Sequence, residues 1–233
     1  MDAFFKLART GRLGPVGVHA DASRIFERGE PATHAYYLEH GAVEIVQSGE
    51  QGAEVVVKIL VGPALFGTIE ILGDEAAYLE SVRSLGAARV YRVARSPFIQ
   101  LLLDNQRLAL DVATDMSRAF CTAARFEPSR VHEADVLLAN LLVAYADVFG
   151  HASANVVELR IKRTQDALAA AIGASERQVN RLISDWRDAG KLDKRAGYYV
   201  LLDYRFFTTL AAELSRSLVH GFAPTMLTLD KTA

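Results

Sequence analysis

Arginine and asparagine side chains are concentrated in one short stretch, "GASERQVNRLISDWRDAGKL" (residues 173–192). Arg177, Asn180 and Arg181 lie close together within it. Arginine can bind guanine through two hydrogen bonds, and asparagine can bind adenine in the same way. In a helix these side chains would share the outer face with Glu176 and Ser184. The residue types therefore predict a helix that reads base edges in a DNA groove.

The surrounding pattern is that of two helices joined by a tight turn. Thr164 and Ser175 are suited to cap the two helices, and Gly173 can adopt the positive φ that a tight turn requires. Apolar residues at three- and four-residue steps predict the buried face of each helix. These are Leu168, Ala169 and Ile172 in the first helix and Val179, Leu182, Ile183 and Trp186 in the second.

The segment that follows, "KLDKRAGYYVLLD", predicts two strands around Ala196-Gly197, a wing whose basic residues could contact phosphates. Residues 160–200 contain nine Lys or Arg and five Asp or Glu, whereas the whole chain has a formal net charge of −2. This local surplus favours a polyanionic partner. The alternative is an ordinary helical bundle with a solvated polar face. The predicted DNA-binding residues are Thr164, Ser175, Glu176, Arg177, Gln178, Asn180, Arg181, Lys194 and Arg195.

Upstream, residues 21–95 have the pattern of short strands. Apolar or alternating runs occur in "RIFERGE", "HAYYLEHGAVEIVQSGEQGAEVVVKILVGPALFG" and "SVRSLGAARVYRVARS". Glycines typical of turns interrupt these runs, so the pattern predicts an antiparallel sandwich or roll. The last run should form two strands around Gly86. Turns are expected at Gly29, Gly41, Gly49, Gly52, Gly62 and Gly67.

Between these regions, "PFIQLLLDNQRLALDVATDMSRAFCTAARF" predicts a helix of about thirty residues that begins at Ser96-Pro97. Its apolar stripe predicts a seam between two copies of the chain, and the alternative is that it packs on the chain's own sheet. Pro128 should end or kink this helix, and Ser129 can cap a further helix that ends at Gly150. The predicted seam residues are Leu108, Val112, Met116, Ala119, Phe120 and Ala123.

The composition excludes several classes of protein. A hydrophobic content of 51% excludes a disordered chain. The single cysteine, Cys121, excludes a disulfide framework and cysteine-held metal sites; a small buried hydrophobe is its commoner role and a redox switch the alternative. The six histidines form no spaced metal motif, so no metal is expected. Without a recognisable signal peptide or membrane helix, we expect a cytoplasmic protein with no membrane partner.

The order of a glycine-punctuated β-roll, a long helix and a winged helix resembles the cyclic-AMP receptor protein/FNR (Crp/Fnr) family of bacterial transcription regulators. The resemblance covers nearly the whole chain. It rests on "RIFERGEPATHAYYLEHGAVEIV", "GPALFGTIEIL" and, most specifically, "TQDALAAAIGASERQVNRLISDW". It implies an α+β fold with an N-terminal antiparallel β-roll similar to a cyclic-nucleotide-binding jelly roll (1–106). A long dimerisation helix with a hinge (107–150) and a C-terminal winged helix-turn-helix (151–233) would follow. It also implies a homodimer on a near-palindromic site in double-stranded DNA, with RNA polymerase as a further candidate partner.

One departure from the family pattern lies in the recognition helix. The family commonly carries Arg then Glu after the capping Ser, whereas this chain has Glu176 then Arg177. The later family arginine is kept as Arg181. Because Arg177 cannot make the cytosine contact of the family's Glu, the usual half-site of the family is in doubt.

A second departure lies in the roll. Cyclic-AMP binders have a Glu directly after the glycine of the effector loop, whereas here Gly67 is followed by Thr68, with Glu70 two residues further on. The family's phosphate-binding Arg-Ser pair aligns with Tyr78 and Leu79, which cannot neutralise a phosphate. Arg83-Ser84 resembles that pair but lies several residues too late. The hydroxyl positions that would cap the adenine fall near Ala123-Ala124.

We therefore expect no cofactor and no response to cyclic AMP in the family's usual way. Three possibilities stay open: another ligand in the same roll, a dimer already set for DNA binding, and a phosphate site rebuilt from Arg83. The candidate effector pocket comprises Thr68, Glu70, Tyr78, Leu79, Arg83 and Ser84.

The leading hypothesis is thus a dimeric, sequence-specific, DNA-binding transcription regulator. The alternative is a sensor or scaffold that does not bind DNA and acts on a protein partner through its roll. An enzyme is the weakest hypothesis, because the sequence has no Gly-rich phosphate loop, nucleophile elbow or metal-ligand spacing. Its acidic cluster "GDEAAYLE" is typical of a solvated loop.

Overall fold

The structure is a computed structural model of the chain. It describes residues 4, 7, 13–48, 54–124, 134–212 and 219–221, and it describes the side chains of all these except 48, 118–124 and 219–221. Two compact units are present, one built mainly from residues 13–46 and 58–124 and the other mainly from 134–212. Within the described ranges, no helix is both long and apolar enough to cross a membrane.

The first unit is an antiparallel β-roll, as the sequence predicts. Over the residues that the structure describes, its sheet has seven strands in the order β1-β6-β3-β4-β11, with β2 paired to β6 and β5 paired to β3. A short helix, α1 (Thr68–Leu72), follows β5. The strands are β1 Val16–His19, β2 Arg24–Phe26, β3 His34–Ser48, β4 Glu54–Val61, β5 Ala64–Phe66, β6 Ser81–Ala94 and β11 Val219–Gly221.

Gly41 and Gly86 lie inside long strands rather than at turns between separate ones. The predicted turn at Gly41 and the predicted pair of strands around Gly86 are therefore wrong, since β3 and β6 each continue through their glycine. Both glycines have positive φ, 90° and 74° respectively. A Cβ at Gly41 would collide with the carbonyl oxygen of Ala87. Glycine is needed here because the two strands bend closely past each other.

The predicted thirty-residue helix is in fact two helices, α2 (Arg95–Asp104) and α3 (Gln106–Ala124). α2 begins at Arg95 rather than at Ser96-Pro97. Pro97 is tolerated in its first turn because backbone N–H groups there have no helical partner. Asn105 leaves the helical region, with φ −137° and ψ 87°. Its side-chain oxygen accepts a hydrogen bond from the Leu108 N–H at 3.1 Å and so helps to start α3.

The apolar stripe of α3 faces the roll of its own chain. Leu108 and Val112 are buried there, and Met116 packs half-buried against the same cluster. The predicted seam is therefore wrong for Leu108 and Val112, because these side chains complete a core within one chain. The side chains of Ala119, Phe120 and Ala123 lie outside the described residues. The other members of the cluster are Phe4, Leu13, Ala35, Tyr37, Ile71, Tyr91, Val93 and Phe98.

The second unit begins with α4 (Ala134–Phe149), which ends directly before Gly150 as predicted. Most of its side chains are buried, and it packs on the last helix of the winged fold. α4 therefore belongs with the winged helix rather than with a separate segment 107–150. The structure divides between residues 124 and 134, not at the predicted 106/107 and 150/151 boundaries. Pro128 and Ser129 lie outside the described residues.

The rest of the second unit is a winged helix around one aromatic cluster. Trp186 packs edge-on against Phe207, with 5.1 Å between ring centroids. Within the described ranges, the sheet of this second unit has four strands in the order β7-β8-β10-β9. The elements are β7 Gly150–Ser153, β8 Val156–Leu159, α5 Gln165–Ile172, α6 Glu176–Asp188, β9 Leu192–Arg195, β10 Tyr198–Leu201 and α7 Tyr204–Ala211. The predicted two-stranded wing around Ala196-Gly197 is thus confirmed as β9 and β10.

Candidate nucleic-acid interface and effector cavity

The caps and the turn around α6 are confirmed. Thr164 Oγ1 accepts a hydrogen bond from the Ala167 N–H at 3.1 Å. Ser175 Oγ accepts one from the Gln178 N–H at 3.3 Å. Gly173, between the helices, has a φ of 69°. These local contacts fix the residue at which α6 begins, and the buried faces then set its orientation against α5.

The two faces of α6 differ in the way the sequence predicts. Val179, Ile183 and Trp186 are buried, whereas Leu182 is only half-buried. The predicted inner residues of α5, namely Leu168, Ala169 and Ile172, are also buried. The residues exposed on the opposite face of α6 include Glu176, Arg177, Arg181 and Ser184.

Arg177 and Arg181 are two basic residues of this exposed face, and they lie one helical turn apart in the first half of the helix. Within the part of the chain that the structure describes, neither guanidinium group makes a hydrogen bond or an ion pair. Both are therefore free to bind an external acceptor. An uncommitted arginine on a surface helix is well suited to a phosphate or to the O6 and N7 atoms of guanine.

Asn180 departs from the predicted outward placement. The residue is half-buried, and its Oδ1 atom is buried without a hydrogen-bond partner among the described residues. The reason is its position, because residue 180 lies beside the inner residues Val179 and Ile183 at the edge of the buried stripe. Only part of its amide group therefore faces outward.

Gln178 is exposed but has a structural role at the helix start. Its Oε1 accepts hydrogen bonds from the backbone N–H of Ser175 at 3.2 Å and from the Ser175 hydroxyl at 2.9 Å. Together with the cap on the Gln178 N–H, these contacts form a capping box. The side-chain oxygen Oε1 of Gln178 is thus already occupied. The side-chain nitrogen Nε2 is the atom left to contact a base or a phosphate.

The wing presents some free cations and some paired ones. Lys194 is exposed, and its ammonium lies 4.9 Å from the centroid of the Tyr199 ring. Arg195 pairs with Asp193 at 2.9 Å instead of standing alone. Lys191 pairs with Asp203 at 2.7 Å, so its charge is directed into the fold. Lys194 is therefore the wing cation best placed to contact a phosphate.

Lys162 is a basic residue of this surface that the sequence analysis did not assign. It is exposed, and its ammonium lies 5.2 Å from the centroid of the Tyr198 ring, next to the wing turn. The contact joins residues far apart in the chain, so helix and strand periodicity could not reveal it. The sequence signal that could have indicated Lys162 is its position, two residues before the residue that caps α5.

In the roll, Tyr78 occupies part of the interior with its own ring. The ring stacks on Phe26 with 3.9 Å between centroids. Its hydroxyl donates to the carbonyl oxygen of His34 at 2.7 Å and accepts from the His34 N–H at 3.2 Å. Burial raises the pKa of Tyr78, so the hydroxyl stays neutral. Tyr36 and Phe66 extend the same aromatic cluster, with 5.1 Å between their ring centroids.

The other candidate pocket residues do not converge on one point. Leu79 is exposed, and its N–H donates to the buried carboxylate of Glu70 at 3.2 Å. Arg83 is engaged with the buried Glu44 directly opposite on β3, with 2.7 Å between Nε and Oε2. Ser84 is fully buried, and its hydroxyl bonds to the backbone around Ala20 and Ser23. The structure therefore places Arg83-Ser84 in structural contacts.

Thr68 and Glu70 do line a cavity, but with partners that the sequence analysis missed. The cavity measures about 60 Å³ and contains Lys58, whose pKa is lowered by burial against the opposing effects of Asp115 and Glu80. Ligand pockets typically measure ~300–1,000 Å³, so this space suits a few water molecules. Tyr78, Arg83 and Ser84 are not among its lining residues. Its charged lining residues are Lys58, Glu70, Glu80 and Asp115.

Among the residues that the structure describes, no group of three or more His, Cys, Asp or Glu is arranged to hold a metal ion. The side chain of Cys121 is not among the described ones. Burial and the neighbouring Arg92 lower the pKa of His34, the histidine next to the aromatic cluster.

A capped helix with free arginines beside a basic wing, together with a β-roll, defines the class of DNA-binding regulators with an effector-type domain. Comparison with known proteins agrees. The family model of the cyclic nucleotide-binding domain matches residues 19–105. The model of the Crp-like helix-turn-helix domain matches residues 137–206.

Similar proteins are also regulators. The global nitrogen regulator of Nostoc sp. is 26% identical over 187 residues, which cover 79% of this chain and 84% of that protein. A CRP-like cAMP-activated global transcriptional regulator of Mycobacterium tuberculosis is 23% identical over 78% of this chain and 81% of its own. The chain belongs to the Crp/Fnr family and is a DNA-binding transcription regulator of that type. These relatives are transcription regulators, not enzymes.

Solved structures share the fold. The c-di-GMP responsive global regulator CLP of Xanthomonas campestris superposes with a TM-score of 0.69 at 17% identity, over 84% of this chain and 98% of that one. TTHB099, a CRP-family transcriptional regulator of Thermus thermophilus, gives a TM-score of 0.66 at 19% identity, over 86% of this chain and 99% of that one.

Proposed function

We propose that this regulator binds a near-palindromic DNA site as a homodimer through α6 and the wing, without requiring cyclic AMP. The observation that carries the proposal is the pair of exposed, unpaired guanidinium groups of Arg177 and Arg181 on a capped helix. Lys194 and Lys162 supply additional positive charge at the wing. Phosphate contacts would hold the protein on the duplex, and base contacts would select the sequence.

A gel shift with random duplexes at two salt concentrations tests DNA binding. Each phosphate neutralised by a Lys or Arg releases counterions, so the affinity must fall as the salt concentration rises. The alternative function, a scaffold that acts on a protein partner through the roll, predicts no salt-sensitive binding to any duplex. If no duplex is shifted even at low salt, the result would favour that alternative.

The dimer contact is proposed on the face of α3 that points away from the roll. Leu110 is 61% exposed there and is the large apolar side chain of that face. Ala113, Thr114 and Ser117 continue the same exposed face with small side chains that permit close helix approach. Two copies related by a two-fold axis would pair this face with itself.

The effector part of the proposal rests on charge and volume. A cyclic phosphate placed in a protein interior needs a cation and several donors to replace its hydration. Arg83 is engaged by Glu44, and Lys58 shares its small cavity with three carboxylates, those of Glu70, Glu80 and Asp115. A monoanionic nucleotide would therefore meet net repulsion and too little space.

RNA polymerase as a partner and a cytoplasmic location belong to the same proposal. The location follows from the proposed partner, since a bacterial chromosome lies in the cytoplasm. Transcription in vitro from a promoter carrying a selected site, with and without the protein, tests the polymerase contact. A change in transcript level that requires the site would support the contact, and an unchanged level would count against it.

A further inference from the structure

We propose that the half-site of this protein is defined by two guanines, one bound by Arg177 and one by Arg181, and that Asn180 does not select adenine. This inference rests on the proposed function, because it concerns which bases α6 contacts once it lies in the major groove.

The two guanidinium groups share two properties. Each is exposed, and among the described residues each lacks a competing carboxylate, unlike the paired Arg195. Each can therefore form the fork of two hydrogen bonds that guanine accepts at O6 and N7. A carboxylate next to the guanidinium group would have occupied one or both of the N–H donors that guanine needs.

Their spacing indicates how far apart the two guanines lie. Residues four apart in a helix are separated by about 6 Å along its axis, so two long side chains that start from them in the major groove reach neighbouring base pairs. Both side chains start from the first two turns of α6, the part of a recognition helix that approaches base edges. Guanines separated by one or two steps, on the same or opposite strands, are therefore within reach.

Asn180 lies between the two arginines but lacks the geometry for adenine. Selection of adenine by asparagine uses both amide atoms, one as acceptor for N6 and one as donor to N7. In this structure the Oδ1 atom is buried. Rotating the amide by 180° would expose the oxygen but bury the nitrogen, so either orientation presents one atom only. A single hydrogen bond discriminates weakly between bases.

The experiment combines selection with atom-specific DNA changes. Sites are first selected from a random duplex library with the full-length protein. Each guanine of the selected half-site is then replaced by 7-deazaguanine, which lacks the N7 acceptor, and affinities are measured for wild type, Arg177→Ala and Arg181→Ala. Alanine removes every donor to the base, whereas a lysine could still donate to O6 or N7. The matched control is Asn180→Ala.

We expect the affinity of the wild type to fall when either of two guanines is replaced. The fall should stay below the about 5- to 150-fold that a complete bidentate contact is worth, because the O6 acceptor remains. Each alanine variant should become insensitive to one particular guanine while staying sensitive to the other. Asn180→Ala should leave the selected sequence unchanged, since removing a buried acceptor without a partner exposes no new unsatisfied group.

The outcomes distinguish a failure of the proposed function from a failure of the guanine assignment. No salt-sensitive binding to any duplex would overturn the proposed function itself. Sequence-selective binding to half-sites without a guanine pair, or variants that respond equally to both replaced guanines, would overturn only the inference. A selected adenine whose preference disappears in Asn180→Ala would likewise overturn it.

Discussion

The carboxylate of Asp193 pairs with the guanidinium of Arg195 on the same wing strand, with 2.9 Å between Oδ2 and Nε. The same carboxylate accepts a hydrogen bond from the Lys194 N–H at 2.7 Å. The hydrogen bond from Arg195 is the main cause that lowers the pKa of Asp193. The wing therefore carries a fixed negative charge beside the positive charges that would contact DNA, and this charge opposes their attraction to a phosphate.

The substitution Asp193→Asn should strengthen binding to every duplex, whatever its sequence, because it frees Arg195 for a phosphate. Each additional phosphate contact steepens the dependence of log K on log salt by about 0.9. Affinities measured over a range of salt concentrations check this. Asp74→Asn is the control, since Asp74 forms a comparable 2.7 Å pair with Arg95 in the roll. An unchanged salt slope in Asp193→Asn would mean that Arg195 does not contact DNA.

Calorimetric titration of the purified protein with cyclic AMP should show no binding at micromolar concentration. The physical reason is that Tyr78 and Leu79 offer no cation, and that Arg83 is held by Glu44 at 2.7 Å. DNA affinity should be the same with and without the nucleotide. Micromolar binding that disappears in Arg83→Ala would contradict this prediction and indicate a phosphate site rebuilt from Arg83.

The substitution Leu110→Glu should convert the dimer into monomers and weaken binding to a two-half-site duplex. A charge at this position would be buried without a partner in the seam. Light scattering at micromolar concentration measures the change. Val18→Glu is the matched control, since Val18 is 77% exposed on the edge strand β1. A dimer that survives Leu110→Glu would place the seam on another surface.

The substitution Asp203→Asn should lower the stability of the protein at neutral pH but not in strong acid. Hydrogen bonds from Lys191 and then Asn155 lower the pKa of Asp203 to about 2. Because an unfolded aspartate has a pKa of about 3.9, the charged form stabilises the fold above that pH. This contribution is lost as the pH falls through about 2.

Free energies of unfolding from urea titrations at several pH values test the effect of Asp203→Asn. The difference between wild type and variant should be largest above pH ~5 and should narrow towards pH ~2. Asp188→Asn, an exposed carboxylate at the end of α6, is the control and should change stability little. A difference that stays constant with pH would mean that Asp203 acts through its capping hydrogen bond alone.

The second unit could be predicted in detail because its signals are local. A threonine or serine three residues before the N–H that it caps, a glycine at the turn and a basic strand pair all act within a few residues. Thr164, Gly173 and Ser175 accordingly lie where the sequence places them. The exposed positions of Arg177 and Arg181 followed from helical periodicity alone.

The first unit was harder because its decisive contacts join distant parts of the chain. An apolar stripe on α3 fits a partner chain and the chain's own sheet equally well, and only tertiary packing assigns Leu108 and Val112 to the sheet. The pairing of Glu44 with Arg83 depends on the register of β3 against β6. Asn180 was misplaced for a different reason, since it lies at the border of a stripe, where periodicity does not decide burial.

Trp186 is the single tryptophan of the chain, and it packs within the winged helix against Phe206 and Phe207. Its ultraviolet emission therefore reports on the DNA-binding unit and not on the β-roll, whose aromatic cluster is built from tyrosine and phenylalanine. The melting of one half of the molecule can thus be observed in the intact protein, without a dye or a truncation. The same indole is buried on the inner side of α6. A collisional quencher should therefore reach it poorly, whether or not DNA is bound.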